Sequence, residues 1–528
     1  MKVHFASSVV VRTLWTILLA ASVACTANSQ AAMGLEPGIV ERWYVIEMTG
    51  QRAGFMHSTE TTTAERITNQ TEMSFELARG PVKVKIKMKG EFIETTDGAP
   101  ISMRSVSDTA GMTVIQEYTF RDTDVEVKST QAGVTRTRTL PLPEGSWLTP
   151  AAAERYIKQR RASGAEEISM RVIDPQVGLT PVTSRHFAFE PATIQVAGLP
   201  IEVTKAKVEV SNAPGIFTSE FVDADGVLVR SETDLGGLSM VMAASTKDEA
   251  GAPIEAPEIM LSTFVKPNRK IKNPRSLVRA VYTVSIDAGE LPDFPSTGTQ
   301  RVERIDARTA KITVDMSHYA VADAADITNP DFLTASAALD TEDEEIRAIT
   351  QKAIAKADGN NIARARAIRR FVYRYIKKKN LGVGFATATE VARTKEGDCS
   401  EHGVLTAAML RTADIPSRVV AGLVYADSFA GANDIFGYHM WTQALLEIDG
   451  AYRWVDLDAT FPASVHYDAT HIAIAVSEMK DGDGMNSMAA LASVLGRLKI
   501  NVDELVYEGE ASKAPEAKPA TEPVGAGR

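Results

Sequence analysis

Gly397-Asp398-Cys399-Ser400-Glu401-His402 is the stretch from which the rest of the chain can be read. Asp398 is a preferred N-cap residue, Glu401 stands three positions on as in a capping box, and the apolar run Val404 to Leu410 continues until Ile415-Pro416 stops it. A helix is therefore expected to begin at Cys399. A thiol in that position feels the positive end of the helix dipole and the unpaired N–H groups of the first turn, which favours the thiolate. Gly403 falls on the same helix face and lets another element pack closely. The bland reading of a lone cysteine, a small buried hydrophobe, fits poorly with a helix start after Gly-Asp.

A nucleophile needs a base, and the base needs an orienting group. Downstream, Tyr438-His439-Met440-Trp441 opens an extended run to Ile448, Asp449-Gly450 is a two-residue hairpin signal, and Ala451 to Thr460 returns as the partner strand. Such a loop pairs Ile448 with Ala451. It then places Gln443 opposite Asp456, Trp441 opposite Asp458 and His439 opposite Thr460, these six sharing one face. Asp458 becomes the diagonal neighbour of His439, while Asp456 is two residues too far and is expected to be a polar group at the sheet edge or a partner of Gln443.

Four segments, 397–402, Ile415-Pro416-Ser417-Arg418-Val419-Val420-Ala421-Gly422, Gly437-Tyr438-His439-Met440-Trp441 and Trp454-Val455-Asp456-Leu457-Asp458-Ala459-Thr460, resemble in order and spacing the transglutaminase-like core of bacterial proteins in the transglutaminase superfamily. The resemblance covers roughly residues 340–480. It implies an α+β fold with a papain-like transglutaminase core, and a Cys-His-Asp triad carried by Cys399, His439 and Asp458. It also implies acyl transfer from, or hydrolysis of, peptide or protein amides. In the animal enzymes an upstream Trp helps to hold the oxyanion; no Trp lies between Trp147 and Cys399, so only the Cys399 N–H is assigned as a donor. Cys399-x-x-His402 has no second ligand pair at metal spacing, and no Gly-rich phosphate loop of specific form appears. Neither a metal nor a cofactor is expected.

The chain of 528 residues, 44% hydrophobic and 24% charged, has a globular composition long enough for three or more domains. Lys2 and Arg12 precede the apolar stretch Leu14 to Ala24, with small residues after it, which reads as an export signal over residues 1–31. Its core is short for a membrane span. Cleavage after Ala31 is favoured over lipidation at Cys25, because Ser22-Val23-Ala24 is a poor lipobox; membrane association is expected only if Cys25 is lipidated. Removing residues 1–31 takes away Lys2 and Arg12 and no acid, so the net charge of −11 becomes −13 and nucleic acid is not an expected partner. Cys399 is then the sole thiol, and the exported fold has no disulfide.

Residues 36–252 read as an antiparallel β domain, sandwich or half-barrel, interrupted by one helix near Pro150 to Gly164. Pro81 to Met88 alternates apolar and basic residues, so its lysines form a solvated face. Trp43 to Ile46 is another strand, with its turn from Gly50 to Gly54. The alternation at 201–203 is out of phase with that at 208–210 across Lys205 and Lys207. A Pro-marked linker leads to a small β module at 256–331, then a core at 336–480 whose first helix is capped by Thr341 to Glu344 and a later one by Thr387 and Glu390. Arg364, Arg369, Arg370 and Lys377 to Lys379 read as a solvated helix face. Ala426 to Gly437 reads as a substrate-selecting loop, or one pinned to the core by Phe429 and Phe436. His466 and His471 read as surface or packing residues. A helix from about Asn486 to Leu498 and a strand fill 481–507, and 508–528 is a disordered tail. Two functions are compatible with this organisation: an exported thiol acyltransferase or hydrolase with a protein or peptide substrate, or a non-catalytic binding or scaffold protein.

Overall fold

Alternating apolar and polar residues between Gly38 and Ser245 build one antiparallel sheet in the chain, whose structure is a computed structural model. It describes residues 37–509 except 80–81, 110–111, 132, 197–198, 235–237, 358, 380–385, 466 and 482–488. The export signal with Cys25 and Ala31, His466 and the tail beyond Gly509 lie outside the described residues.

The sheet opens with β1 (Gly38–Met48), β2 (Gln51–Thr62), β3 (Arg66–Arg79), β4 (Val82–Thr95), β5 (Pro100–Thr109), β6 (Met112–Phe120), β7 (Asp124–Gln131) and β8 (Val134–Pro141). After helix α1 (Pro150–Ala162) come β9 (Glu167–Asp174), β10 (Gly178–Val196), β11 (Leu199–Val210), β12 (Phe217–Val222), β13 (Leu228–Asp234) and β14 (Ser239–Ser245). The order β8-β7-β6-β5-β4-β3-β2-β1-β14-β13-β12-β11-β10-β9 is two meanders joined where β1 pairs with β14. A sheet this wide curls. Ile173 at the end of β9 packs in one cluster with Val125 and Val127 of β7 and Phe92 of β4, so the two ends approach each other as a half-barrel requires.

On β4, Val84, Ile86 and Met88 are buried while Lys83, Lys85 and Lys87 face out, and Lys85 and Lys89 pair with Glu76 and Glu72 of β3. The turn after β1 is tighter than expected: Thr49-Gly50 makes it, and Gly54 lies inside β2. The phase change in β11 is real and does not end the strand. Its buried face switches between Val203 and Ala206, opposite a bulge in β10 between Phe187 and Glu190.

Helix α2 (Lys247–Ala250) leads into the linker, and a second sheet follows with β15 (Leu277–Ser285), β16 (Gln300–Asp306) and β17 (Thr309–Asp315). Its fourth strand is the C-terminal β22 (Lys499–Tyr507), which pairs with β15 in the order β16-β17-β15-β22. The last strand therefore completes the small module and does not stand apart with its helix.

After α3 (Ala324–Thr328), the core contains α4 (Glu344–Ile354), α5 (Asn361–Tyr375), α6 (Ala388–Thr394) and α7 (Cys399–Thr412). These pack on a sheet of β18 (Ser417–Phe429), β19 (Ala432–Ile448), β20 (Ala451–Leu457) and β21 (His471–Ser477), ordered β20-β19-β18-β21. Helix α8 (Ala489–Val494) precedes β22. The N-cap of α4 is Asp343, whose Oδ1 accepts from the N–H groups of Glu345 and Ile346 at 2.9 and 3.2 Å; Thr341 lies too far upstream. Residues 426–437 are a hairpin and not a loop, with Ala430-Gly431 at φ 48° and 89° as its two-residue turn. Phe436 lies edge-on to Tyr282 and Tyr425, its main chain pairs with Val265, and Phe429 packs on Phe264. The Phe429 ring pins the hairpin to the segment before β15, and the Phe436 ring pins it to β15 itself.

Candidate active site

The N-terminus of α7 is built as its sequence dictates. Asp398 Oδ1 accepts from the Ser400 N–H at 2.9 Å, and Glu401 returns its Oε2 to the Asp398 N–H at 2.8 Å and its Oε1 to the Ala386 N–H at 3.0 Å. Gly397 is at φ 148°, and a Cβ there would lie 2.2 Å from the Glu401 Cβ, so only glycine brings the chain into this cap. Strand β19 crosses the helix at Gly403, whose carbonyl accepts from Thr442 Oγ1 at 2.8 Å, and the Met440 N–H donates to the Cys399 sulfur. The residue before Met440 is His439, so close packing at Gly403 brings the strand carrying it against the start of the helix.

Pairing of β19 with β20 runs from Ile448–Ala451 through Gln443–Asp456 and stops at Thr442–Leu457, in the register a two-residue loop requires. Beyond it the chain turns inward at Asp458. His439 Nε2 and Asp458 Oδ2 are 2.7 Å apart, and Thr460 donates to Asp458 Oδ1 through its N–H at 2.7 Å and its hydroxyl at 2.6 Å. Asp456 instead accepts from Trp441 Nε1 at 2.9 Å, Gln443 Nε2 at 2.8 Å and the Thr299 N–H at 3.2 Å, which makes it a structural acceptor between two sheets.

Cys399 and His439 are wholly buried and Asp458 is 1% exposed, which changes the electrostatics expected of the thiol. Burial pushes the Cys399 pKa up, Asp398, Asp458 and Glu401 add to the rise, and the Met440 N–H only partly opposes it. The thiol is therefore the resting form: desolvation outweighs the helix end, contrary to the thiolate expected from position alone. Asp458 goes the other way. Burial would raise its pKa, but the charge and hydrogen bond of His439, with further contributions from His471, hold it well below the usual carboxylate range. Glu401, buried beside Asp398, is pushed up from the usual carboxylate range by burial first and by the charge of Asp398 second.

His402 faces inward on α7, with Nδ1 2.5 Å from the Asp398 carbonyl; burial first, and Lys379 second, lower its pKa to about 4. Its ring is neutral and donates through Nδ1, so Nε2 is an acceptor and not an oxyanion donor. His439, Asp458 and His471 present one ligand-type atom each within 4.8 Å of one another. Those atoms are hydrogen-bonded directly, Asp458 Oδ2 lying 2.7 Å from one ring and 3.2 Å from the other. An ion bonded at about 2.0–2.2 Å would have to break both bonds.

Arg369 was misread from sequence, and of the two alternatives for His471 the buried one holds. Arg369, assigned to a solvated face, is buried and clamps the segment after β20, donating to the carbonyls of Asp458 at 2.7 Å, Val465 at 2.8 Å and Pro462 at 3.3 Å. His471, assigned to surface or packing, is wholly buried with Nε2 on Asp458. A signal was present. Asp458-Ala459-Thr460 recurs as Asp468-Ala469-Thr470 immediately before His471, and both triplets fold the threonine back onto the aspartate.

Residues 347–459 match the model of the transglutaminase-like superfamily core, a superfamily whose members include cysteine peptidases and acyltransferases. Among solved structures, a β-barrel-like protein of a domain of unknown function from Brucella abortus aligns at 13% identity and TM-score 0.32, covering 39% of this chain and 95% of its own. A candidate cysteine protease from Cytophaga hutchinsonii aligns at 14% identity and TM-score 0.25, covering 44% and 87%. The periplasmic domain of TgpA from Pseudomonas aeruginosa, bound to ethylmercury, aligns at 15% identity and TM-score 0.24, covering 37% and 88%. No curated protein matches the chain. No helix among the described residues is long and apolar enough to cross a membrane.

Proposed function

From the transglutaminase-like core that residues 347–459 form, we propose that this chain is an exported thiol-dependent acyltransferase or hydrolase acting on peptide or protein amides, with Cys399 as nucleophile, His439 as base and Asp458 as its orienter. The observation that carries the reading is the 2.7 Å bond from His439 Nε2 to Asp458, made on the strand whose next residue donates to the Cys399 sulfur. With Nε2–H committed to Asp458, the imidazole lone pair is on Nδ1. As Cys399 attacks the amide carbonyl, Nδ1 takes the thiol proton, the Cys399 N–H at the helix start stabilises the oxyanion, and the imidazolium returns the proton to the departing amine. Water or a second amine then takes the acyl group from the thioester. Because the resting thiol is protonated, His439 acts as a general base in the attack itself and does not merely partner a preformed thiolate.

Export rests on the signal-like residues 1–31, and their removal leaves Cys399 as the only thiol. Complete burial of Cys399 is the observation on the side of a scaffold role. The two readings separate on incubation with an extracellular peptide pool. An enzyme releases amine or forms a new amide, and Cys399→Ala loses this while keeping its melting temperature; wild-type turnover in that variant removes Cys399 as the nucleophile.

A further inference from the structure

His471 has no role in the reading above, yet it is the most completely determined side chain around it. Its Nδ1 lies 3.0 Å from the Asp468 carbonyl oxygen and its Nε2 lies 3.2 Å from Asp458 Oδ2. A carbonyl oxygen only accepts, and so does an ionised carboxylate. A neutral imidazole has one N–H, so either tautomer would aim a lone pair at one of these oxygens inside a wholly buried site. The ring satisfies both contacts only when both nitrogens carry protons. Tyr467 stacks on one face at 4.1 Å between ring centroids, and Trp441 and Phe461 stand edge-on at 5.3 and 5.8 Å, so the ring is also fixed in orientation.

The charges around it alternate in space. Arg275, in the turn before β15, donates to Asp468 Oδ2 at 2.7 Å, with its guanidinium over Phe461. Asp468 holds His471 through its carbonyl, and His471 reaches Asp458, which takes His439. We propose that His471 is a permanently protonated positioning residue, the middle of a buried relay Arg275–Asp468–His471–Asp458–His439 that fixes Asp458 and tempers its charge toward His439. The proposal deepens the catalytic reading and rests on it for the word positioning; the protonation of His471 does not depend on it.

The groups facing His471 are Asp458 and Phe461 after β20, Tyr467 and Asp468 before β21, His439 and Trp441 on β19, the charge of Asp456 on β20, and Arg275 through Asp468. Burial opposes protonation, but the hydrogen bonds and charges of Asp458 and Asp468 outweigh it and raise the pKa to about 9, in agreement with the geometry. In the absence of His471, the cations left to offset Asp458 besides His439 are Arg369 and Lys379, neither of which bonds its carboxylate. Removing a positive charge whose ring centroid is 5.8 Å from that of His439 favours the protonated form of every neighbour. Both limbs of the rate profile should therefore move to higher pH, by roughly one to two units for a unit charge at this separation.

Two measurements test this. In full-length Cys399→Ala protein labelled with 15N-histidine, chosen so that no proton can pass from Cys399 to His439, one buried imidazole should have both nitrogens protonated at pH 8, and that signal should be missing in the additional His471→Gln variant. The absence of a doubly protonated imidazole at pH 8 overturns the proposal, whether or not a substrate is known and whether or not His471→Gln folds. In otherwise wild-type protein, His471→Gln should lower kcat/KM and shift the bell-shaped profile to higher pH. A folded His471→Gln protein with an unshifted profile also overturns it, whereas failure to find any turnover bears on the enzyme reading alone and leaves the nitrogen measurement to decide.

Discussion

Replacing Asp458 by asparagine changes one atom and disturbs both ring hydrogen bonds to that atom. Asp458 accepts from four donors: His439 Nε2, His471 Nε2, and the N–H and hydroxyl of Thr460. An amide oxygen retained toward Thr460 turns the NH2 group toward two ring N–H groups, so His439 must place its proton on Nδ1 and present Nε2 as the acceptor. That is the wrong tautomer for taking a proton from Cys399. The equivalent loss of orientation in a serine triad lowers turnover about 10⁴-fold, roughly 5 kcal/mol of barrier. Asp456→Asn is the control, being two residues before Asp458, within β20, and bonded to Trp441, Gln443 and Thr299. It disturbs one buried hydrogen bond, with a stability cost of about 1–3 kcal/mol and less than about tenfold in turnover. The assay is the acylation burst with a small activated ester, measured across pH beside a urea melt of each variant. A severe loss in Asp456→Asn with a mild one in Asp458→Asn refutes the assignment.

Arg369→Met removes the clamp on the carbonyls of Asp458, Pro462 and Val465, and should cost about 3 kcal/mol in stability while lowering kcat more than it raises KM; an unchanged melt and rate would show that the segment holds itself. Glu220 in the N-terminal sheet is buried and its pKa is raised from 4.5 to about 8, while nearby His186 is lowered by burial from 6.5 to about 4. The Glu220 contribution is fully present below its unfolded pKa and is lost as pH rises through about 8; the His186 contribution is lost as pH falls below 6.5. Between pH 4.5 and 6.5 the two slopes oppose, and from 6.5 to 8 that of Glu220 acts without opposition from His186. His471, raised to about 9, weakens the core over the same window, so the reading is a difference: relative to Glu220→Gln, the wild-type sheet should lose roughly 2 kcal/mol between pH 6.5 and 8, and parallel stability curves would refute it.

The parts of the molecule held by short-range rules were legible in the sequence. The capping box at Asp398 and Glu401, the Asp449-Gly450 turn and its register, and the lysine face of β4 each depend on residues within a few positions of one another. What escaped depends on contacts across the chain. Arg369 looks like any helix-surface arginine until the segment after β20 is laid over it, and β22 has no local mark of belonging beside β15. The protonated state of Cys399 was misjudged because helix position is local whereas burial is a property of the whole core. The 426–437 segment read as a loop because its Gly, Asp and Ala residues hide a two-residue turn inside a long hairpin. His471 was readable in principle, since the second Asp-Ala-Thr triplet repeats the one that holds the base.

The central claim is that Cys399 forms a thioester with an acyl group in a step that needs His439. Its most direct test is intact-mass and peptide mass spectrometry of the protein quenched in acid during incubation with an extracellular peptide pool. The account predicts an acyl mass on the peptide containing Cys399 in the wild type, absent in Cys399→Ala and strongly reduced in His439→Gln. Acylation at another residue, or equal labelling of Cys399 in folded His439→Gln protein, would contradict it.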